Sequence, residues 1–148
     1  MIESRRVLHG VALMIAGTTV AMLGTVQPSL AAGVTPSITL TPSTGQSDGQ
    51  AVKFSIAGFG PRESLYVAEC TRTETGELAC TKEMASATSD AEGNAAGSIT
   101  VVTVFDRISP ISGESFGLVD CAAAADRCFV GVGSADLSRS AVAYLSFG

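Results

Sequence analysis

From Ile38 onward the sequence is a succession of short runs in which every second residue is apolar, and no other feature constrains the fold as tightly. Ile38 and Leu40 flank Thr39, Val52, Phe54 and Ile56 alternate with Lys53 and Ser55, and Leu65 and Val67 flank Tyr66. Successive side chains of a strand point to opposite faces, so each run predicts a strand with one buried face. Similar runs predict strands at 85–89, 98–105, 115–119, 129–133 and 141–147. Turn chemistry separates them: Pro42 with Gly45, Asp48-Gly49, Gly58 with Gly60 and Pro61, Gly76, Gly93-Asn94, and Pro110 with Gly113. Many short strands with frequent turns imply an all-β sandwich or barrel. Within 98–105 the alternation breaks at the adjacent Val101 and Val102, the mark of a β-bulge or a change of partner sheet. Residues 122–125 are helix-friendly in composition but lie between Cys121 and Cys128, where a loop is expected. No repeat, linker or low-complexity stretch divides the chain, so one domain is predicted.

The first residues have a different character. Arg5 and Arg6 precede an apolar run from Val11 to Val26, and Ser29 and Ala31 are small residues at the spacing of a signal-peptidase site. Residues 1–31 therefore read as a secretory signal peptide, with 32–148 as the mature domain starting at Ala32. The apolar run is about 16 residues, short of the ~20 that a helix needs to cross a bilayer, so no membrane span is expected in the mature protein. Arg5-Arg6 also fits twin-arginine export, leaving the route open while predicting a secreted, extracellular protein. Without Glu3, Arg5 and Arg6, totals of 9 basic and 14 acidic residues become 7 and 13. Such an acidic surface disfavours direct contact with nucleic acid or anionic lipid.

All four cysteines lie after the leader, and an exported chain meets an oxidising compartment. Of the three possible connectivities, Cys70 with Cys80 and Cys121 with Cys128 is the expected one, because each pair flanks a short stretch able to turn back on itself. Zinc binding is the alternative, but neither pair has the close spacing of a zinc knuckle, and no metal site is predicted. The single histidine, His9, is in the leader, which removes Ser-His and Cys-His relays from the mature chain. No phosphate-binding glycine loop is present. Glu69 with Glu74, or Asp120 with Asp126, are carboxylate pairs in the sequence, but solvated surface charge is the expected role of each. No catalytic residue is assigned and no enzyme is predicted.

Binding is easier to argue. In the run from Phe129 to Gly133, Val130 and Val132 share the core face, which turns Phe129, Gly131 and Gly133 outward. Two glycines on one strand face leave room for a ligand to approach the backbone, although a bulge or barrel corner would use them equally well.

The strings Thr41-Pro-Ser-Thr-Gly-Gln-Ser-Asp-Gly49, Cys70 through Thr75-Gly-Glu-Leu-Ala-Cys80, Gly117-Leu-Val-Asp-Cys121 and Leu145-Ser-Phe147 occur in an order and spacing that resemble the neocarzinostatin family. Its members are secreted apoproteins that carry and protect a labile enediyne chromophore. The resemblance implies an immunoglobulin-like, seven-stranded antiparallel sandwich with two small β-ribbons forming a ligand cleft, and it supports the two local disulfides. By position, the cleft would be lined by Tyr66, Ala68, Arg72, Leu78 and Met84, by the Cys70–Cys80 bridge, and by Ile108, Pro110, Phe129, Gly131 and Gly133.

Several of these positions depart from the family pattern. Arg72, Met84, Ile108 and Pro110 replace aromatic residues, Gly133 replaces a hydroxyl-bearing residue and Phe129 a polar one, and the loop between Cys121 and Cys128 is longer. Loss of aromatic faces weakens the grip on a flat conjugated ligand, which Phe129 is expected to restore in part. Arg72 could stack on a ligand ring or pair with an acidic ligand group, or else be a solvated surface arginine.

The resemblance thus implies a monomeric carrier of a small hydrophobic ligand, an enediyne or another apolar chromophore, with no enzymatic cofactor and with DNA contacted only through that chromophore. The alternative is a secreted immunoglobulin-like interaction module that has lost the chromophore and binds a protein or another small ligand. An open cleft of about 300 Å³ or more favours the carrier. A cleft filled by Met84 and Phe129, beside an exposed apolar sheet face, favours the module.

Overall fold

The computed structural model describes residues 34–148, so the expected signal peptide and the expected start at Ala32 lie outside the described residues. Among the described residues there are ten strands and no helix: β1 (Ser37–Thr41), β2 (Gln50–Ala57), β3 (Ser64–Arg72), β4 (Leu78–Cys80), β5 (Ala85–Thr88), β6 (Ala95–Val101), β7 (Val104–Ile108), β8 (Ser115–Asp120), β9 (Cys128–Ser134) and β10 (Ser140–Tyr144). One antiparallel sheet has the order β1-β2-β6. The other runs β10-β9-β3, with β5 on the free edge of the first half of β3 and β4, β7 and β8 continuing from its second half.

β1, β2 and β6 pack against β5, β3, β9 and β10 as the seven strands of the sandwich. The second half of β3 with β4 makes one ribbon, and β7 with β8 makes the other. The all-β sandwich with two ribbons is therefore present.

Period-two alternation builds the core as expected. Val52, Phe54 and Ile56 of β2 face Leu65 and Val67 of β3 and Val130 and Val132 of β9, all buried. Each such side chain contributes about 1.5–3 kcal/mol on leaving water. Gly97 of β6 lies opposite Phe54 in the ladder, and a Cβ there would come 2.6 Å from Phe54 Cζ, so the aromatic ring occupies the space that the glycine leaves.

The stretch 98–105 is two strands rather than one. β6 ends at Val101, paired with β2, and β7 begins at Val104, paired with β8 and touching β4. The adjacent valines thus mark a change of partner sheet. Side chains satisfy the backbone at this crossover: Val102 N–H donates to Glu69 Oε2 at 2.8 Å, and Thr103 N–H donates to Asp48 Oδ1 at 2.8 Å.

Glu69 corrects the expectation of solvated carboxylates. It follows Leu65 and Val67 on the inward face of β3 and is fully buried, with Oε1 lacking a hydrogen-bond partner. Burial raises its pKa from 4.5 to about 7, against the lowering effect of the Val102 N–H, and the charge of Asp48 raises it further. Glu74, its partner in the proposed pair, is exposed and bridged to Arg107, so the two do not form an acid/base couple.

Both expected disulfides are formed. Cys70 and Cys80 sit opposite each other in the β3–β4 ladder, and Cys121–Cys128 joins the end of β8 to the start of β9. Residues 122–125 form a loop of turns and bends, as expected.

Candidate functional site

Because Leu65, Val67, Glu69 and Thr71 point inward, Tyr66, Ala68, Cys70 and Arg72 form the outward row of β3. Register places the outward row of β9 beside it, with Gly133 opposite Tyr66, Gly131 opposite Ala68 and Phe129 opposite Cys70. On its other side β9 meets β10, which sets Ser140 against Gly133, Val142 against Gly131 and Tyr144 against Phe129. Side chains therefore rise on both flanks of β9 while Gly131 and Gly133 leave a trough along its middle. Phe129 closes one end, buried and edge-on to Tyr144 with ring centroids 5.8 Å apart.

A cleft opens over this trough. Its floor and walls are Tyr66, Ala68, the Cys70–Cys80 bridge, Phe129, Gly131 and Gly133, with Arg72, Leu78, Met84 and Pro110 around the mouth. Nine of the ten positions read from the sequence thus meet in one cleft. Ile108 does not join them: it pairs with Cys80 one strand further out, so in register order the cysteine pair stands between it and Phe129.

Leu137, Ser140, Ala141 and Val142, which no sequence signal marks, complete the lining, together with Val132, whose side chain stays in the core. The residues contributed by β10 follow from its pairing with β9, which only the hairpin closure fixes. Leu137 sits in that turn with φ 56° and overhangs Gly133, where a Cβ would come 3.0 Å from Leu137 Cδ2. Asp136 holds the turn by accepting from Ser138 Oγ at 2.7 Å, Ser138 N–H at 3.1 Å and Ser134 Oγ at 2.8 Å. The Ser138 hydroxyl first, then these other donors, lower its carboxyl to about 2.

The two ribbons are tied together by an ion pair. Arg107 of β7 pairs with Glu74 of the β3–β4 turn at 3.3 Å and also donates to the carbonyls of Phe116 and Gly117. Glu74 is held below the usual carboxylate range by its own backbone N–H and then by Arg107.

The confined volume of the cleft is about 90 Å³. The confined space falls short of the roughly 300 Å³ that favours a carrier, because Phe129 and Leu137 occupy part of the trough. Met84 stays half exposed at the rim rather than filling the floor. Such a surface can hold the edge of an apolar molecule by contact with aliphatic, sulfur and glycine surfaces. Among the described residues no group of three or more histidine, cysteine or carboxylate side chains is arranged to hold a metal.

The family model described as the neocarzinostatin family matches residues 38–147, which include both ribbons and nearly the whole sandwich. The chain belongs to the neocarzinostatin family. Among its relatives, the antitumor antibiotic C-1027 apoprotein of Streptomyces globisporus is 38% identical over 114 residues, 76% of each chain. Actinoxanthin of the same organism is 37% identical over 114 residues, again 76% of each. Of solved structures, macromomycin superposes with a TM-score of 0.70 at 30% identity, covering 76% of this chain and 99% of its own. The solution conformation of apokedarcidin gives 0.60 at 28% identity, covering 77% and 99%. Family membership and fold thus agree with the resemblance read from the cysteine and glycine strings.

Proposed function

We propose that this protein is a secreted, monomeric carrier that holds a small apolar chromophore of the enediyne type non-covalently in the cleft over Gly131 and Gly133. Its role is to stabilise and transport that molecule, and any damage to DNA is the chromophore's chemistry. The observation carrying this reading is the apolar trough on β9, flanked by nine of the ten positions at which the family pattern puts its ligand contacts. An acidic sequence of net charge −5 further supports a protein that meets DNA only through its ligand.

The confined volume limits how the ligand sits. A buried cavity of about 150 Å³ holds a benzene ring, so the 90 Å³ of this cleft takes one edge of a larger chromophore. The remainder rests on Tyr66, Met84, Leu137 and Val142, all of which line the cleft, and the flexible Met84 side chain adapts to its outline.

Gly131→Leu tests the reading. A Cβ at this site meets Phe129 Cε2 at 3.5 Å and Cys70 Sγ at 3.9 Å, ordinary contacts that leave the strand unstrained while the longer side chain fills the trough. Titration of parent and variant with polyaromatic ligands, followed by ligand fluorescence, is expected to show uptake by the parent and at least tenfold weaker uptake by the variant. Equal uptake by both would remove the trough from the account.

The narrow floor and buried Phe129 are what favour the second reading, an interaction module without a chromophore. It predicts no uptake by the parent.

A further inference from the structure

We infer that the cleft discriminates among apolar ligands by charge, favouring those with an anionic group at one edge, and that Arg72 makes this selection. The inference rests on the cleft being a ligand site. Arg72 ends the outward row of β3 and is, among the described residues lining the cleft, the one side chain charged at neutral pH. The other lining residues are apolar, glycine, or the uncharged polar Tyr66 and Ser140.

Glu74, two residues further along the chain, is paired by the fold with Arg107, at 3.3 Å. Glu77, the next acidic residue of the ribbon, accepts from Thr75 Oγ1 at 3.2 Å. Among the described residues Arg72 makes no ion pair. Its Nη1 donates to the Gly76 carbonyl at 3.2 Å, which holds the guanidinium across the ribbon turn and leaves its other N–H groups free for solvent or ligand.

Such a tethered, planar cation loses little further freedom on engaging an anion. Beside it stand Leu78 and the Cys70–Cys80 bridge, apolar surfaces that strengthen a charge interaction relative to open water. A flat neutral molecule gains only the trough. One with a carboxylate, sulfonate or phenolate at its edge also gains Arg72, and its polar edge points outward, as the cleft's small confined volume requires.

Two fluorophores that differ by one group make the test: 1-anilinonaphthalene, which is neutral, and 1-anilino-8-naphthalenesulfonate. Each is titrated into the parent protein, Arg72→Gln, Arg72→Lys and Lys53→Gln. Lys53 is exposed on β2, in the other sheet, so its loss changes net charge by the same amount away from the cleft. Arg72→Gln is expected to weaken the sulfonate probe about fivefold to tenfold and to leave the neutral probe within about twofold. Lys53→Gln leaves both unchanged, and Arg72→Lys recovers part of the preference. Raising salt to about 0.5 M shrinks the difference between probes in the parent but not in Arg72→Gln. Equal weakening of both probes by Arg72→Gln, or none, overturns the inference while leaving the carrier reading intact. If neither probe binds the parent, the carrier reading falls and takes this inference with it.

Discussion

Glu69→Gln removes an ionisable group from a place that water does not reach and keeps its size and an acceptor for the Val102 N–H. In the parent the folded-state pKa is about 7 against 4.5 for an unperturbed glutamate. Between those values the native state binds more protons than the unfolded state, so stability falls as pH rises. The contribution is complete below 4.5, is lost on passing through about 7, and stays constant above. At about 1.4 kcal/mol per pKa unit, the loss is about 3 kcal/mol. Glutamine does not titrate, but its amide group meets the spot where Oε1 has no partner, at a cost of about 1 kcal/mol or more. The variant is therefore expected to be about 1–2 kcal/mol more stable than the parent near pH 8, and no more stable near pH 4.5. Urea unfolding with disulfides intact, followed by far-ultraviolet circular dichroism at several pH values, measures both curves. Converging curves on acidification support the reasoning, whereas parallel curves between pH 4.5 and 8 would refute it. Asp136 titrates near 2 and does not interfere in that window.

Removing the two disulfides should have separable effects. Each closes a short loop, so loss of either costs about 2–3 kcal/mol in unfolding free energy. Cys70→Ala with Cys80→Ala should also reduce ligand uptake because that bridge is cleft wall, while Cys121→Ala with Cys128→Ala should spare it; equal effects on uptake would contradict this assignment. Gly97→Ala forces its methyl against the Phe54 ring and should lower stability by about 1–3 kcal/mol, read from the urea midpoint. Arg107→Gln, which unties the ribbons, should increase hydrogen exchange in β7 and β8 without changing exchange in β2.

The sandwich was legible because a half-buried strand writes its burial into every second residue, as in Val52, Phe54 and Ile56. Even the stumble at Val101-Val102 was informative, since a strand that leaves one sheet for another must turn a different face inward. β4 was not legible: Leu78, Ala79 and Cys80 are too few for a period to register, and their strand exists only because Cys70 and the turn at Gly76 bring them back. The cleft was legible through the glycines of β9 and the family resemblance together. Leu137 and Val142 are hidden from the sequence because their place depends on a hairpin register, and Ile108 lies beyond the cysteine pair, a register fact that resemblance by position does not reveal. A carboxylate type alone suggests surface charge for Glu69, but its position two residues after Val67, in the inward phase of β3, is the signal of its burial.

Whether the cleft carries a chromophore is read from the absorption spectrum of the protein isolated in the dark from the organism that makes it, with mass spectrometry of an organic extract. The chain has no tryptophan and two tyrosines, so the polypeptide itself is nearly transparent above the tyrosine band. A carried chromophore gives a longer-wavelength band that leaves the protein with the extract and corresponds to a small conjugated molecule. A spectrum of tyrosine alone, from protein that also takes up no added polyaromatic ligand, would contradict it and leave the interaction module as the function of this fold.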